Sequence, residues 1–200
     1  MDWTGPLTSY LHLNVKEGAD VGGLLATLGS AVQSAIEREI GRTFDNVAYC
    51  EVYDGGGRPV LFLNHDPIVS LASVSDTGSV LTVQPSAMFD PAAPPTWPLP
   101  RCVVNGGQAL RLTDGSVFSS GTQNIIVVYT AGLTGDGSGP PAELVQAGVY
   151  WAGLLFRERN RLGVSSETIA GQITSFSNVI PPDVDRMISG WRRAILPCSN

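Results

Sequence analysis

Charge is scarce in this sequence of 200 residues. Asp, Glu, Lys and Arg make up 15% of it, against about a quarter in an ordinary globular domain. Apolar residues reach 43%, the reverse of the balance that keeps a chain disordered. A surface this poor in charge usually ends against a partner. The 12 basic residues are outnumbered by 18 acidic ones, for a net charge of −6. Gripping phosphates requires a basic patch, so nucleic-acid binding of that kind is excluded. A wall past which DNA slides is not. Lysine is almost missing, since Lys16 stands beside eleven arginines. Arginine is the better residue for planar, bidentate interface pairs, although codon bias in a GC-rich genome gives the same excess.

Long apolar runs are also missing, and a membrane span needs about 18 such residues. Met1-Asp2-Trp3-Thr4-Gly5-Pro6 has neither the basic start nor the apolar stretch of a signal peptide. No membrane contact is expected, and a reducing cytoplasm is the natural place of synthesis. The three cysteines, Cys50, Cys102 and Cys198, are far apart and form no CxxC pair. Neither a disulfide framework nor a zinc site follows from them. The two histidines, His12 and His65, are too few for a hydrolytic metal site. His65-Asp66-Pro67 closes a strand, where adjacent side chains point to opposite faces, so a structural turn is the expectation there. No Gly-x-Ser-x-Gly elbow is present. Asp54-Gly55-Gly56-Gly57-Arg58 is followed by a strand pattern, whereas a phosphate loop needs a following helix. No cofactor or metal is called for.

What is present reads as helix, then strand, then helix. Residues 7–13 suggest a short helix capped by Thr8 or Ser9, and residues 16–18 a turn. Asp20 is placed to cap a long helix over 20–40. Its apolar stripe is Val21, Leu24, Leu25, Leu28, Val32, Ala35, Ile36 and Ile40, and Gly41 ends it. Gly22, Gly23 and Gly29 each weaken this helix by up to about 1 kcal/mol, so tertiary packing must hold it. Residues 47–53 and 59–63 alternate about the glycine turn, which predicts a hairpin. Residues 68–75 and 80–83 flank Asp76-Thr77-Gly78 as a second one. Residues 85–100 hold six of the fourteen prolines and are expected to form a long loop. Further strands are predicted at 110–112 and 124–129, and a link at 132–139. Residues 141–160 form a strong helix, with Glu143 near its start and Arg157 and Arg159 near its end, as the dipole favours. Its middle is apolar almost all round, so it is covered either inside its own domain or by a neighbouring subunit. Residues 163–179 show no clear period and read as an extended arm. Pro181-Pro182-Asp183 opens a last helix to about residue 193.

The expected class is α+β: a small helical bundle with the 47–63 β-hairpin, additional short antiparallel strands and an extended C-terminal arm. The expected division is a core at 1–163, with the proline-rich loop 85–100, and an arm with terminal helix at 164–200. The 157–161 charge cluster reads either as a solvated helix end or as a dock for an acidic partner. Trp191-Arg192-Arg193 combines residue types that dominate binding hot spots, unless Trp191 packs back on the core.

In this order the elements resemble the head–tail connector (adaptor) proteins of long-tailed bacteriophages and related gene-transfer particles. Five places carry the resemblance. The first is the Leu7-Thr8-Ser9-Tyr10-Leu11 helix. The second is Ala35-Ile36-Glu37-Arg38-Glu39-Ile40-Gly41-Arg42-Thr43-Phe44, like that family's helix ending in Gly-Arg-x-Phe. Next comes Val128-Tyr129-Thr130-Ala131-Gly132, with Pro141-Ala142-Glu143-Leu144 opening the long helix. The last two are Ser166-Glu167-Thr168-Ile169-Ala170-Gly171 with Ser175 and Ser177, and the Pro182-Asp183-Val184 helix ending in Trp191-Arg192-Arg193. The likeness spans residues 7–193, and it departs from the family at loop 85–100 and at Trp191.

The resemblance implies a structural virion protein at the head–tail junction, made in the host cytoplasm. It implies a ring, commonly of twelve copies, below the portal protein of a DNA-filled head. Such a ring extends the DNA channel without specific binding and docks a downstream head-completion or tail protein. On this reading the apolar helix supplies the subunit interface through Trp151, Leu154, Leu155, Arg157 and Arg159. The arm and last helix supply portal contacts through Phe176, Ile180, Trp191, Arg192, Arg193 and Ile195. Truncation after Gly190 is then expected to abolish head binding while leaving the fold intact. Two rivals are a tail-completion or tail-terminator ring protein and a small hydrolase using His65 and Asp66.

Overall fold

Helices open and close the chain and strands fill its middle, following the change of hydrophobic period. The computed structural model describes residues 2–12, 15–83, 102–105, 107–135, 139–158, 166–169, 172–175 and 180–193. Among them the order is α1 (Thr4–Tyr10), α2 (Val15–Ile40), β1 (Val47–Gly55), β2 (Val60–Phe62), β3 (Ile68–Asp76), β4 (Ser79–Leu81), β5 (Cys102–Asn105), β6 (Ala109–Leu112), β7 (Gly121–Ala131), α3 (Ala142–Arg157), β8 (Ser166–Ile169), β9 (Gln172–Ser175) and α4 (Pro182–Ser189). The class is α+β, with antiparallel sheets and helices segregated along the chain. Two compact units form, Met1–Gly41 with Pro141–Asn200, and Arg42–Pro140. They part at 41/42 and 140/141 rather than at the expected 163/164, because α4 packs with α3 and α2 in the first unit.

In the helical unit, Leu7 of α1 is buried. Asp2 Oδ1 accepts the Thr4 amide at 2.9 Å, a role the sequence had suggested for Thr8 or Ser9. Thr8 Oγ1 instead donates back to the Thr4 carbonyl at 2.7 Å. α2 starts at Val15, so residues 16–18 are helical and Asp20 lies inside the helix rather than capping it. Gly41 ends it at φ +70, as glycine does where a side chain would strain. The stripe is narrower than the sequence suggested. Leu25, Val32, Ile36 and Ile40 are buried, while Leu24 is exposed. α3 is central to its unit and buries Leu144, Ala147, Val149, Ala152 and Phe156. α4 buries Val184 and Ile188 and stops at Ser189, short of the expected 193. His12 lies in the turn after α1, at φ +54, not in a helix. Residues 166–169 and 172–175 form an antiparallel pair, β8 with β9, within the stretch expected to be an extended arm.

The second unit corrects one pairing. The glycine turn at 54–57 exists, with Gly57 at φ +63, but it does not join a hairpin. β1 pairs with β7 from Val47↔Ala131 to Tyr53↔Ile125, and β2 pairs with β6. A nine-residue strand gains more ladder from eleven-residue β7 than from three-residue β2. Turn chemistry alone cannot show that preference. A Cβ at Gly55 would sit 1.7 Å from the Ser119 carbonyl, so glycine is required at this irregularity in β1. The β3–β4 hairpin about Asp76-Thr77-Gly78 forms as the sequence predicts. The two sheets, ordered β1-β7-β3-β4 and β2-β6-β5, share a core that includes Leu63, Leu71, Cys102, Leu110, Phe118, Ile125 and Val127. The proline-rich stretch 85–100 lies outside the described residues.

Candidate functional site

The two groups of candidate residues singled out in the sequence both belong to the helical unit. On α3, Trp151, Leu154 and Leu155 are half-buried and Arg157 is exposed. The Arg157 guanidinium carbon lies 5.4 Å from the centre of the Tyr10 ring, within cation–π range. Tyr10 in turn meets Tyr150 edge-on at 6.5 Å. Arg159 lies outside the described residues. α3 is therefore packed inside its own unit on one side and keeps large half-covered apolar side chains on another.

The second group is the segment after α4. Trp191 is half-buried, and its Nε1 donates to Glu143 Oε2 at the start of α3, at 2.9 Å. Arg192 Nη2 donates to Glu39 Oε1 and to Asp185 Oδ1, both at 2.6 Å. The Arg193 amide donates to the Ile40 carbonyl at 2.8 Å. The structure thus brings 191–193 onto the end of α2 and the start of α3. Trp191 packs back on its own unit, one of the two alternatives the sequence left open. Ile180 is half-buried, and Phe176 and Ile195 lie outside the described residues.

The β unit holds a polar cluster that the sequence did not reveal as such. Tyr53 and Tyr129 both donate their hydroxyls to Glu51 Oε2, Tyr129 at 2.6 Å. Their oxygens accept the amides of Asn64 and His65 at 2.9 and 3.2 Å. The His65 ring stacks on Tyr49 at 3.8 Å, and its Nε2 lies 3.6 Å from Glu51 Oε1. Asp66 turns the other way and pairs with Arg42 at 2.6 Å. His65 thus contacts Tyr49 and Glu51 while Asp66 contacts Arg42, an arrangement that lends the hydrolase alternative no support. Among the described residues no group of three or more His, Cys, Asp or Glu is placed to hold a metal ion. The cluster instead fixes the 64–65 turn against β1 and β7.

Its titration is directional. Burial pushes the Glu51 carboxyl up, but the hydrogen bonds from Tyr129, Tyr53 and Asn64 and the nearby His65 outweigh this and hold it below the ordinary 4.5. Burial and the bond to Glu51 push Tyr53 up to about 12. A depressed folded-state carboxyl stabilises fully above its unfolded value, and that contribution is lost as pH falls through the folded one. A raised phenol stabilises fully below its unfolded value of 10.0, and that contribution is lost as pH rises toward about 12. Glu51→Gln should therefore flatten the decline in urea midpoint of the β unit below about pH 4.5. An unchanged acid limb would show that other groups set it.

The arrangement so far is that of an α+β chain whose candidate sites are surfaces. The same fold occurs in chains of gene transfer agent particles. A chain from the neck of an empty gene transfer agent (GTA) particle, computed with C6 symmetry, superposes with a TM-score of 0.57 at 17% identity, covering 98% of this chain and 91% of that one. A chain from the neck of a native GTA particle, computed with C12 symmetry, gives 0.56 at 13% identity, covering 100% of this chain and 95% of that one. A chain of the native GTA virion gives 0.54 at 16%, covering 97% and 92%. No protein-family model matches the chain, and no curated protein matches it in sequence. At these identities the likeness is one of fold, shared over both units.

Proposed function

We propose that this chain is a structural neck protein of a virus-like particle, an adaptor that forms a ring beneath the portal and joins head to tail. The observation that carries the reading is the fold shared with neck chains of GTA particles over at least 98% of its length. The C6 and C12 symmetry of those necks supports a ring of copies. The low charge and net −6 suit a channel wall that passes DNA without holding its phosphates. Portal, downstream connector or tail protein, and passing DNA are the partners in this reading, and no catalytic step enters it.

In the ring, Trp151, Leu154, Leu155, Arg157 and Arg159 form part of the seam between copies. Leu155→Asp puts a charge into that seam and should abolish ring formation. Portal contacts fall to Phe176, Ile180 and Ile195 and to the exposed parts of Trp191, Arg192 and Arg193. Truncation after Gly190 would also remove the contacts of 191–193 with Glu143, Glu39, Asp185 and Ile40. Removing 194–200 is therefore the cleaner deletion. It should weaken head binding with the melting temperature unchanged.

The deciding experiment is co-sedimentation of the purified chain with tailless, DNA-filled heads of its own particle, followed by electron microscopy. A ring of density beneath the portal is the expected result. Binding to isolated tails and not to heads would move the protein to the tail side of the joint and overturn the adaptor reading.

A further inference from the structure

The sheet order leaves β1 at an edge of the β1-β7-β3-β4 sheet. The other edge strand, β4, has three residues, whereas β1 has nine. Among the described residues no strand pairs with the outer side of β1. Natural edges of this length are protected by lysine, proline, outward charge or brevity. From Val47 to Tyr53 this strand has none of these. Its one charge, Glu51, is half-buried on the inner side and hydrogen-bonded to Tyr53 and Tyr129. The outward residues Ala48, Cys50 and Val52 are exposed, Val52 at 52%. Their partners across the ladder are Thr130, Val128 and Ile126, so from Ala48 to Val52 this face carries no charge, and Asp54, exposed beside the irregularity at Gly55, is its first.

The helical unit holds the complementary problem. β8 and β9 pair with each other from Ser166↔Ser175 to Ile169↔Gln172, and their sheet has two strands. Among the described residues no third strand joins them. A two-stranded hairpin is marginal alone in water and needs a further strand or a packed face. The sequence 166–175 is rich in β-branched residues, Thr168, Ile169, Ile173 and Thr174, with Glu167 its one charge. In one chain these two elements lie in separate sheets.

We infer that the β8–β9 hairpin of one copy adds to the β1 edge of the next copy, extending its four-stranded sheet across the subunit boundary. The occupant is a second copy because, among the described residues, each chain carries one edge and one two-stranded pair that no further strand joins. A contact that joins two different surfaces is heterologous, the kind of contact from which a ring is built when its rotation closes. Copies of net charge −6 repel, and the exposed Ala48, Cys50 and Val52 of β1 put no charge at such a contact. Main-chain hydrogen bonds along β1 supply the attachment, as in strand addition generally. This inference rests on the ring reading above and adds a second contact to the α3 seam.

The test uses Cys50 on β1 as a reporter, in a Cys198→Ser background, with Glu167→Cys, Thr168→Cys, Ile173→Cys and Thr174→Cys made singly in the hairpin. Each chain is oxidised with copper–phenanthroline, both bound to tailless heads and free at high concentration. The expected result is a non-reducing ladder of cross-linked copies for at least one position. It should exceed a Cys50→Ser control at least tenfold and be lost with Val52→Lys, whose exposed site leaves the fold intact by circular dichroism. Normal head binding with no ladder at any of the four positions overturns the inference and leaves the adaptor reading standing. A cross-link from the hairpin to the portal, or one confined to a single chain, also overturns it. If the chain fails to sediment with heads, the adaptor reading falls, and the ladder of the free chain alone decides the hairpin's partner.

Discussion

Arg42→Ala should destabilise the unit of residues 42–140 by about 3–5 kcal/mol, the cost of removing one partner from a buried ion pair. Asp66 is 3% exposed. Its Oδ2 accepts Arg42 Nη2 at 2.6 Å and Nε at 2.9 Å, and Gln108 Nε2 reaches the same oxygen at 3.3 Å. Deleting the guanidinium leaves a carboxylate in a site closed to water, with a neutral amide as its remaining contact among these three. Desolvation then dominates, because little solvent can replace the lost cation. The reverse deletion costs less. Arg42 keeps 15% of its side chain exposed, so in Asp66→Ala the cation can turn toward solvent. Urea denaturation followed by circular dichroism gives both numbers. With a slope of about 2 kcal/mol/M, Arg42→Ala should lower the midpoint by roughly 1.5–2.5 M. Equal losses for the two variants, or a loss near 1 kcal/mol for Arg42→Ala, would show that the pair behaves as a surface bridge. Arg42 follows Gly41, where the chain leaves α2 for the β unit. That gives Gly-Arg-Thr-Phe at 41–44 a physical meaning: glycine for the turn, arginine for Asp66, and Phe44, buried.

How much of this was legible beforehand follows from the range of each signal. The 3.6-residue stripe of α2, the Gly41 stop, the dipole charges of α3 and the Asp76-Thr77-Gly78 turn are local, and each is present in the structure. The partner of β1 was not legible, because the period-two pattern fixes which face of a strand is buried but not which strand lies beside it. The cluster at Glu51 joins residues 49, 51, 53, 64, 65 and 129, and only its first three positions share a strand. Of the interface candidates, Trp191 and Arg192 were picked out by residue type. The structure shows that part of their hydrogen bonding is already used within the chain. Residue type marks a capacity for contact and does not say with whom. The exposed β1 edge had a usable signal in the sequence, a nine-residue strand with no lysine or proline. It becomes meaningful only once the sheet order shows that β1 lies at an edge.

The glycines of the helices have a packing role that helix propensity does not show. By propensity alone Gly29 is a cost to α2. A Cβ there would stand 2.4 Å from Trp3 Cβ and 2.5 Å from Cγ, and one at Gly148 of α3 would stand 2.5 Å from Trp3 Cη2. The indole is therefore seated against both helices where they lack side chains. It is 1% exposed, with Nε1 donating to Gln33 Oε1 at 2.9 Å. Trp3→Ala should cost about 3–5 kcal/mol, as for other buried aromatic residues cut to alanine. Gly148→Ala sets two effects against each other. Alanine gains about 1 kcal/mol of helix propensity, and forcing a methyl against a ring held on its other side by Gly29 costs about 1–3 kcal/mol or more. At 2.5 Å the clash wins, so the substitution should destabilise the native protein. In a Trp3→Ala background the ring is gone and only the propensity term remains, so Gly148→Ala should become stabilising. That reversal of sign is a coupling of about 2 kcal/mol or more, the size expected of residues in direct contact. Denaturation of the wild type, the two single variants and the double variant measures it. A Gly148→Ala effect of the same sign and size in both backgrounds would mean that Trp3 does not occupy the space the glycine leaves.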